Sequence, residues 1–271
     1  MDSALFISLS LGAVVGCLLA LTGAGGAILS VPLLGFGLHL TVAQAGPIGL
    51  LAVFLSAGIG AALALRANIL RYRAAGFMSL FGLILTPLGI WLSKLIPNKP
   101  LSVGFAILLF IVAISLLRNA YRAMSAITTA ELKPPPCQLN QSIGKLIWTV
   151  PCARALALAG AAAGFFSGLL GVGGGFIIVP SLKRFTDLPV KSIVATSLGV
   201  LTIVSFGNVL IATVSGTMDW AIALPFAGGA LGGMMLGRQI AKIMSGPRLQ
   251  QFFALFTLGI ACMMLYKALF T

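Results

Sequence analysis

The chain is a tandem duplication. Gly16, Gly23, Gly25, Gly26 and Pro32 recur 148 positions later as Gly164, Gly171, Gly173, Gly174 and Pro180. The same offset runs without a gap to the C-terminus and pairs Val42 with Val190, Leu50 with Leu198, Gly89 with Gly237, Lys94 with Lys242 and Phe105 with Phe253. Residues 4–123 therefore match 152–271, and whatever one half folds into, the other must fold into as well.

Composition fixes the solvent. Hydrophobic residues make up 59% of the 271 and charged residues 8%, against roughly 25% charged in soluble domains. Such a chain is counted in membrane spans, each needing about 20 apolar residues. Six are plain, at 44–65, 74–93, 101–122, 192–213, 221–240 and 249–269. The two Gly-rich stretches, 4–38 and 153–186, are too long for one straight span and are broken midway. A continuous helix over 4–34 would reach roughly 46 Å against a hydrocarbon core of about 30 Å. Glycine is costly inside a helix and adopts positive φ freely, so the clusters at Gly23-Ala24-Gly25-Gly26 and Gly171-Val172-Gly173-Gly174-Gly175 predict helix-turn-helix hairpins.

Charge decides whether each hairpin crosses or returns. If both return, one side of the membrane carries 14 of the 17 basic residues and the other keeps Lys94, Lys99 and Lys267. If each crosses once, the split becomes 9 against 8. The positive-inside rule favours hairpins that return. A repeat of one re-entrant hairpin and three crossings has odd parity, which turns the second copy upside down. The expected fold is an all-α polytopic membrane protein of two inverted repeats, each a re-entrant helix-turn-helix hairpin plus three transmembrane helices. The first repeat occupies 1–123 and the second 152–271. Both termini then face outside, and the linker 124–151, with its Pro134-Pro135-Pro136 run, faces the cytoplasm.

Several other readings carry less. Asp2 stands where a secretory signal needs positive charge, and residues 1–30 have an internal partner at 152–182, so a cleaved signal is not expected. The net charge of +13 sits mostly in short loops, where it sets orientation and meets anionic head groups. No nucleic-acid motif accompanies it, and no nucleic-acid partner is expected. The four cysteines show no zinc spacing, so neither metal nor cofactor is expected. Cys17 and Cys262, in apolar segments, read as small apolar residues. Catalysis is not indicated, because no nucleophile is paired with a base.

The pattern G-x-x-x-x-x-x-G-x-G-G-x-x-x-x-x-P, present in both halves, resembles the signature of the sulfite exporter TauE/SafE family of membrane permeases. The second copy, Gly164 to Pro180, looks like the signature in nearly full form, and the stretch that follows, Val190-Lys191-Ser192-Ile193-Val194-Ala195-Thr196-Ser197-Leu198, resembles the A-x-x-T-S stretch typical of the family. The first copy departs from it, with Ala27 in place of the extra glycine and Gln44-Ala45-Gly46-Pro47-Ile48-Gly49 in place of Thr-Ser. The resemblance covers essentially the whole chain. It implies a multi-pass inner-membrane carrier for sulfite, a sulfonate such as sulfoacetate, thiosulfate or a related organic anion, moved outward.

Anion chemistry is compatible with the residues themselves. The second helix of each hairpin would begin near Ala27 and Phe176, with its N–H groups and positive dipole end pointing toward the midplane, and glycines let the backbone approach a bound oxyanion. The candidate substrate-binding residues are Thr22, Gly23, Gly25 and Gly26 in the first hairpin, and Ser167, Gly171, Gly173 and Gly174 in the second. Thr196, Ser197 and Asn208 join them from a polar strip that also contains Ser205. Ser30 and Ser181 offer further hydroxyls, and the Gly228–Gly237 run reads as helix packing. All four acidic residues, Asp2, Glu131, Asp187 and Asp219, fall outside the expected spans, which leaves no intramembrane carboxylate to relay protons. A cation carrier using hairpin carbonyls, or a membrane subunit without transport activity, are the readings left open.

Overall fold

A computed structural model describes residues 2–22, 26–124, 137, 139–140, 145–146, 148–243 and 246–270. Ten α-helices run through them: α1 (Asp2–Thr22), α2 (Ser30–Gly37), α3 (Val42–Arg66), α4 (Tyr72–Leu95), α5 (Asn98–Met124), α6 (Val150–Leu170), α7 (Gly175–Phe185), α8 (Val190–Val214), α9 (Trp220–Ile243) and α10 (Gly246–Phe270). In the linker, Leu139–Asn140 and Lys145–Leu146 form a two-stranded antiparallel ladder. The fold is helical, and six helices among the described residues are long and apolar enough to cross a bilayer, α3, α4, α5, α6, α8 and α9.

The helix ends follow local chemistry. Thr41 caps α3 in a reciprocal box, its hydroxyl accepting the Gln44 N–H while the Gln44 carboxamide accepts the Thr41 N–H at 3.1 Å. Thr149 caps α6 by accepting the Cys152 N–H at 3.3 Å. At the far end of α6, Gly171 adopts φ +70° and returns its N–H to the Ser167 carbonyl at 2.9 Å, a left-handed stop that glycine makes without a Cβ penalty.

Each Gly-rich stretch is a hairpin whose arms run side by side, but the arms are unequal. α6 has 21 residues and is itself about 31 Å long, whereas α7 has 11 and measures about 16 Å. The turn takes up the difference by folding back along α6, so that Gly174 lies against the carbonyl of Ala163 rather than at the helix end. From there α7 runs back to the foot of α6. Cys137 closes that foot, bonded to Cys152 in the first turn of α6 and donating its N–H to the Phe185 carbonyl, the last residue of α7, at 3.0 Å. The disulfide has no counterpart in the first hairpin, where Ala4 stands opposite Cys152. There, Gly26 packs against the backbone of Leu18 and Leu19, and Gly37 faces Leu11 and Ile7. The first hairpin resumes as a 3-10 turn, Gly26–Leu29, and becomes regular helix only at Ser30. The second resumes at Gly175, one residue before Phe176.

Packing between the halves is reciprocal at the 148-residue offset. Gly12 of α1 meets the Phe226 carbonyl of α9, while Gly160 of α6 meets the Met78 carbonyl of α4. Gly16 meets Ala230, and Gly164 meets Gly82. Gly237 meets Cys17, and Gly89 meets Phe165. If i touches j + 148, then i + 148 touches j, which is the pattern of a two-fold interface between copies. In both seams backbone lies directly on backbone, the close approach that small residues permit between membrane helices. Gly229 and Gly233 take part, against Leu9 and Ala13, so this part of the Gly228–Gly237 run packs helices together. Between the seams α3 lies on α8, with the Phe54 and Phe206 rings 5.2 Å apart and Gly58 facing Thr202, the same pair of positions read in the opposite direction.

Candidate substrate site

The turn Gly171–Gly174 is wedged into this centre. Gly171, Gly173 and Gly174 all have positive φ, at 70°, 73° and 71°. Two of them also touch backbone directly, Gly171 on Gly46 of α3 and Gly174 on Ala163. Gly173 is different. A Cβ placed there would meet side chains, Leu201 at 2.9 Å, Val53 at 3.4 Å and the Ser205 hydroxyl at 3.5 Å. The middle of the turn therefore looks onto α3 and α8 through side chains that can move.

Three buried polar side chains, Ser167, Ser205 and Asn208, lie around this turn, and a fourth, Ser56, lies one helical turn from Val53 on α3. Asn208 donates its Nδ2 to the Val204 carbonyl at 2.9 Å and to the Ser167 hydroxyl at 3.3 Å, which ties α8 to α6 one turn before Gly171. Ser205 lies one helical turn from Asn208 on the same face. Ser56 follows Val53 by three residues on α3. Ser167, Ser205 and Ser56 are each 0% exposed, and Asn208 is 3% exposed.

Most buried hydroxyls in apolar helices bond back to their own backbone, and here Ser79, Thr86 and Thr257 do so at 2.7 to 2.9 Å. Ser56 and Ser205 do not: both hydroxyls are fully buried and have no hydrogen-bond partner. Leaving a buried polar group unsatisfied costs about 1–3 kcal/mol, so the pair marks a place where the packing forgoes stability. The first two residues of α7, Gly175 and Phe176, add N–H donors without an acceptor inside the helix, whereas the Ile177 and Ile178 N–H groups bond the Gly174 carbonyl at 3.0 and 3.3 Å. Two hydroxyls and a helix N-terminus suit an oxyanion.

The profile of the sulfite exporter TauE/SafE family matches residues 8–264. The chain belongs to that family. It is 30% identical over 275 residues to a "Probable membrane transporter protein" of Xylella fastidiosa strain 9a5c, covering 97% of this chain and 96% of the relative. It is 27% identical over 283 residues to the "Probable membrane transporter protein YunE" of Bacillus subtilis strain 168, covering 96% and 97%. No solved structure matches.

In this TauE/SafE protein, the sequence-derived residues divide by position. Ser167, Gly171, Gly173, Gly174 and Asn208 come together at the second turn. Gly26 belongs to the first hairpin, where the neighbouring Ser30 donates its hydroxyl to the Ala27 carbonyl at 2.7 Å and lies against Gly49. Gly23 and Gly25 lie outside the described residues, as does the side chain of Thr22. Thr196 and Ser197 sit apart, nine and eight residues before Ser205, so Thr196 is about 14 Å away along α8. Thr196 accepts the Arg71 N–H at 3.2 Å, and nearby Ser192 donates to the Ile69 carbonyl at 2.6 Å. These hydroxyls moor the loop between α3 and α4. Ser197 bonds its own helix at Val194.

Ser56 was missed by sequence reasoning. Its signal was the offset itself, since Ser56-Ala57 stands opposite Val204-Ser205, one hydroxyl per copy moved by a single position.

Proposed function

We propose that the protein is an inner-membrane permease that carries a small sulfur-containing or organic anion, such as sulfite, sulfoacetate or another sulfonate, by alternating access at the interface of two inverted repeats. The observation that carries this reading is the glycine turn set beside the partnerless Ser205 hydroxyl, with the equally partnerless Ser56 one helical turn from Val53, the other neighbour of Gly173. Such groups are satisfied by a ligand that accepts hydrogen bonds, and broken helices at a repeat interface are where secondary transporters hold their substrates. The reciprocal seams supply two equivalent bundles that can rock about the α3–α8 contact. Family membership and relatives named as transporters support transport over catalysis.

Counterflow of labelled sulfite, sulfoacetate, thiosulfate and a non-sulfur carboxylate into proteoliposomes tests the reading. Saturable exchange of at least one sulfur anion is expected, and a well-folded protein that exchanges none of them sinks it. Ser56→Ala and Ser205→Ala sharpen the test. Each removes a hydroxyl that bonds nothing in the protein, so thermal stability should hold or rise. A hydrogen bond to a charged ligand contributes about 1.5–3 kcal/mol, so each variant should raise the exchange KM about tenfold or more. Unchanged KM in both variants would remove the hydroxyls from the site.

In this reading the hairpins are re-entrant, both termini face outside, and the linker 124–151 lies in the cytoplasm with the basic loops. That compartment keeps thiols reduced, so Cys137 and Cys152 should be thiols in growing cells and bonded in air-oxidised protein. Because both are buried, orientation is read from an exposed basic-loop position instead: a membrane-impermeant maleimide should leave Arg73→Cys unmodified beyond the parent in intact cells and modify it once the membrane is opened. Labelling in intact cells would invert the proposed orientation.

A further inference from the structure

Away from the central turn, a cavity of about 220 Å³ opens between α2, the start of α5 and the end of α10. Its floor and walls are apolar, with Val31, Pro32 and Phe36 from α2 and Met264 from α10. Among the described residues its polar lining comes from Asn98, Lys99, Ser102 and Lys267, with no carboxylate. The Lys267 ammonium stands 5.4 Å from the centroid of the Phe36 ring, so its charge is held over the wall rather than extended away from it. Asn98 accepts the Val42 N–H through Oδ1 at 3.2 Å, which leaves its NH2 as the donor.

The duplication gives this pocket a meaning that position alone does not. At the 148-residue offset, Phe36 corresponds to Arg184 and Gly35 to Lys183, whereas Lys99 corresponds to Pro247 and Lys267 to Asn119. Both returning arms therefore end beside two cations, but the cations stand at non-equivalent positions. The charge recurs where the residues do not, so it answers a demand made at both mouths and is not a relic of the copy.

We propose that this pocket is a docking site for a short-chain organic anion, a sulfonate or carboxylate with a few carbons, at the mouth of the first hairpin. Two ammonium groups and the Asn98 amide take the anionic head, and Phe36, Val31 and Met264 cover the tail. Bare sulfite would leave those walls uncovered. The volume limits the guest to several heavy atoms, since one water occupies about 30 Å³ of liquid. Because α2 forms one wall, a bound anion rests on the returning arm that leads to Ser30 and Gly49. The inference rests on the permease reading only for what the anion does after docking. Binding itself is separable.

The test is calorimetric titration of the full chain in phosphatidylcholine nanodiscs with pentanesulfonate and methanesulfonate. Pentanesulfonate is expected to bind at least fivefold more tightly than methanesulfonate. Lys99→Gln and Lys267→Gln should each weaken it about tenfold, and Arg118→Gln, an exposed cation outside the pocket, should not alter it. Equal binding by the lysine variants and the parent overturns the proposal while leaving the permease reading intact if exchange persists. Docking without exchange of any anion does the reverse. Nanodiscs containing phosphatidylglycerol separate the two sources of such a head group: unchanged affinity supports a soluble anion, and loss of pentanesulfonate binding assigns the pocket to lipid and overturns the proposal.

Discussion

Gly164→Val should prevent the protein from folding stably, with a loss of more than about 3 kcal/mol. Overpacking a core ordinarily costs about 1–3 kcal/mol, when side chains can shift to make room. Here none can, because a Cβ on Gly164 falls within the shell of the Gly82 carbonyl and its neighbouring backbone atoms. Relief requires α4 and α6 to separate along the whole seam that Gly160, Gly164, Gly168 and Gly89 form. Membrane helices have no hydrophobic drive to stay together once that van der Waals packing is lost. The duplication supplies the control. Gly82 corresponds to Ala230 in the other seam, and a Cβ on Gly82 comes no closer than 3.1 Å to any atom. Gly82→Ala should therefore cost less than Gly164→Val, about 1–3 kcal/mol, because the new methyl meets the Val204 side chain, which can shift, and the Gly160 carbonyl at 3.1 Å rather than within its shell. Melting of detergent-solubilised protein followed by size-exclusion chromatography reads both. A Gly164→Val protein that elutes as a sharp peak and melts near the parent temperature would show that the seam is looser than described.

Gly173→Leu should leave the helices formed and abolish exchange, by at least about a hundredfold. A leucine at φ +73° adopts the left-handed region at about 1–2 kcal/mol, which a folded domain of ordinary stability tolerates. Its side chain then has one direction to go, into the space shared by Leu201, Val53 and the Ser205 hydroxyl. The substrate would have to displace it. Gly173→Ala should fall between, because Leu201 meets the new methyl with the far end of a flexible side chain. Gly174 makes the contrast: its Cβ meets the Ala163 carbonyl, so Gly174→Ala should act on folding first and on transport only as a result. Circular dichroism beside counterflow separates these effects. A folded Gly173→Leu protein that exchanges anions at the parent rate would place the substrate path elsewhere.

Five of the six expected spans were legible because lipid leaves few options; the sixth, 249–269, falls in α10, whose apolar run Gln251–Lys267 is shorter, while α6, expected as a re-entrant arm, has the length to cross. Helices α3, α8 and α9 lie within three residues of the expected 44–65, 192–213 and 221–240 at either end, and the excess is capping and loop-facing residues such as Val42 after Thr41. Hydropathy sees only the part of a helix that touches hydrocarbon. The hairpin breaks were legible from glycine, but the path through them was not. Nothing local states that Gly174 folds back to Ala163, so the unequal arms and the full-length α6 were not foreseen. Depth was the other limit. Thr196, Ser197, Ser205 and Asn208 read as one strip because all are polar, yet the first pair moors or stays within its own elements and the second pair reaches the turn. The meeting of Cys137 and Cys152 depends on where α7 ends, which no spacing between the two cysteines reveals.

The seams also set a schedule for assembly. Gly82 and Gly164 are separated by 82 residues, but Gly16 waits for Ala230, 214 residues later. At synthesis rates of about 5–20 residues per second, α1 spends roughly 10–40 s in the membrane before α9 exists to receive it. Its glycine face must remain unclaimed by lipid contacts or by any passing helix for that interval. The first helix made is thus among the last to find its place, and the chain closes around its own beginning.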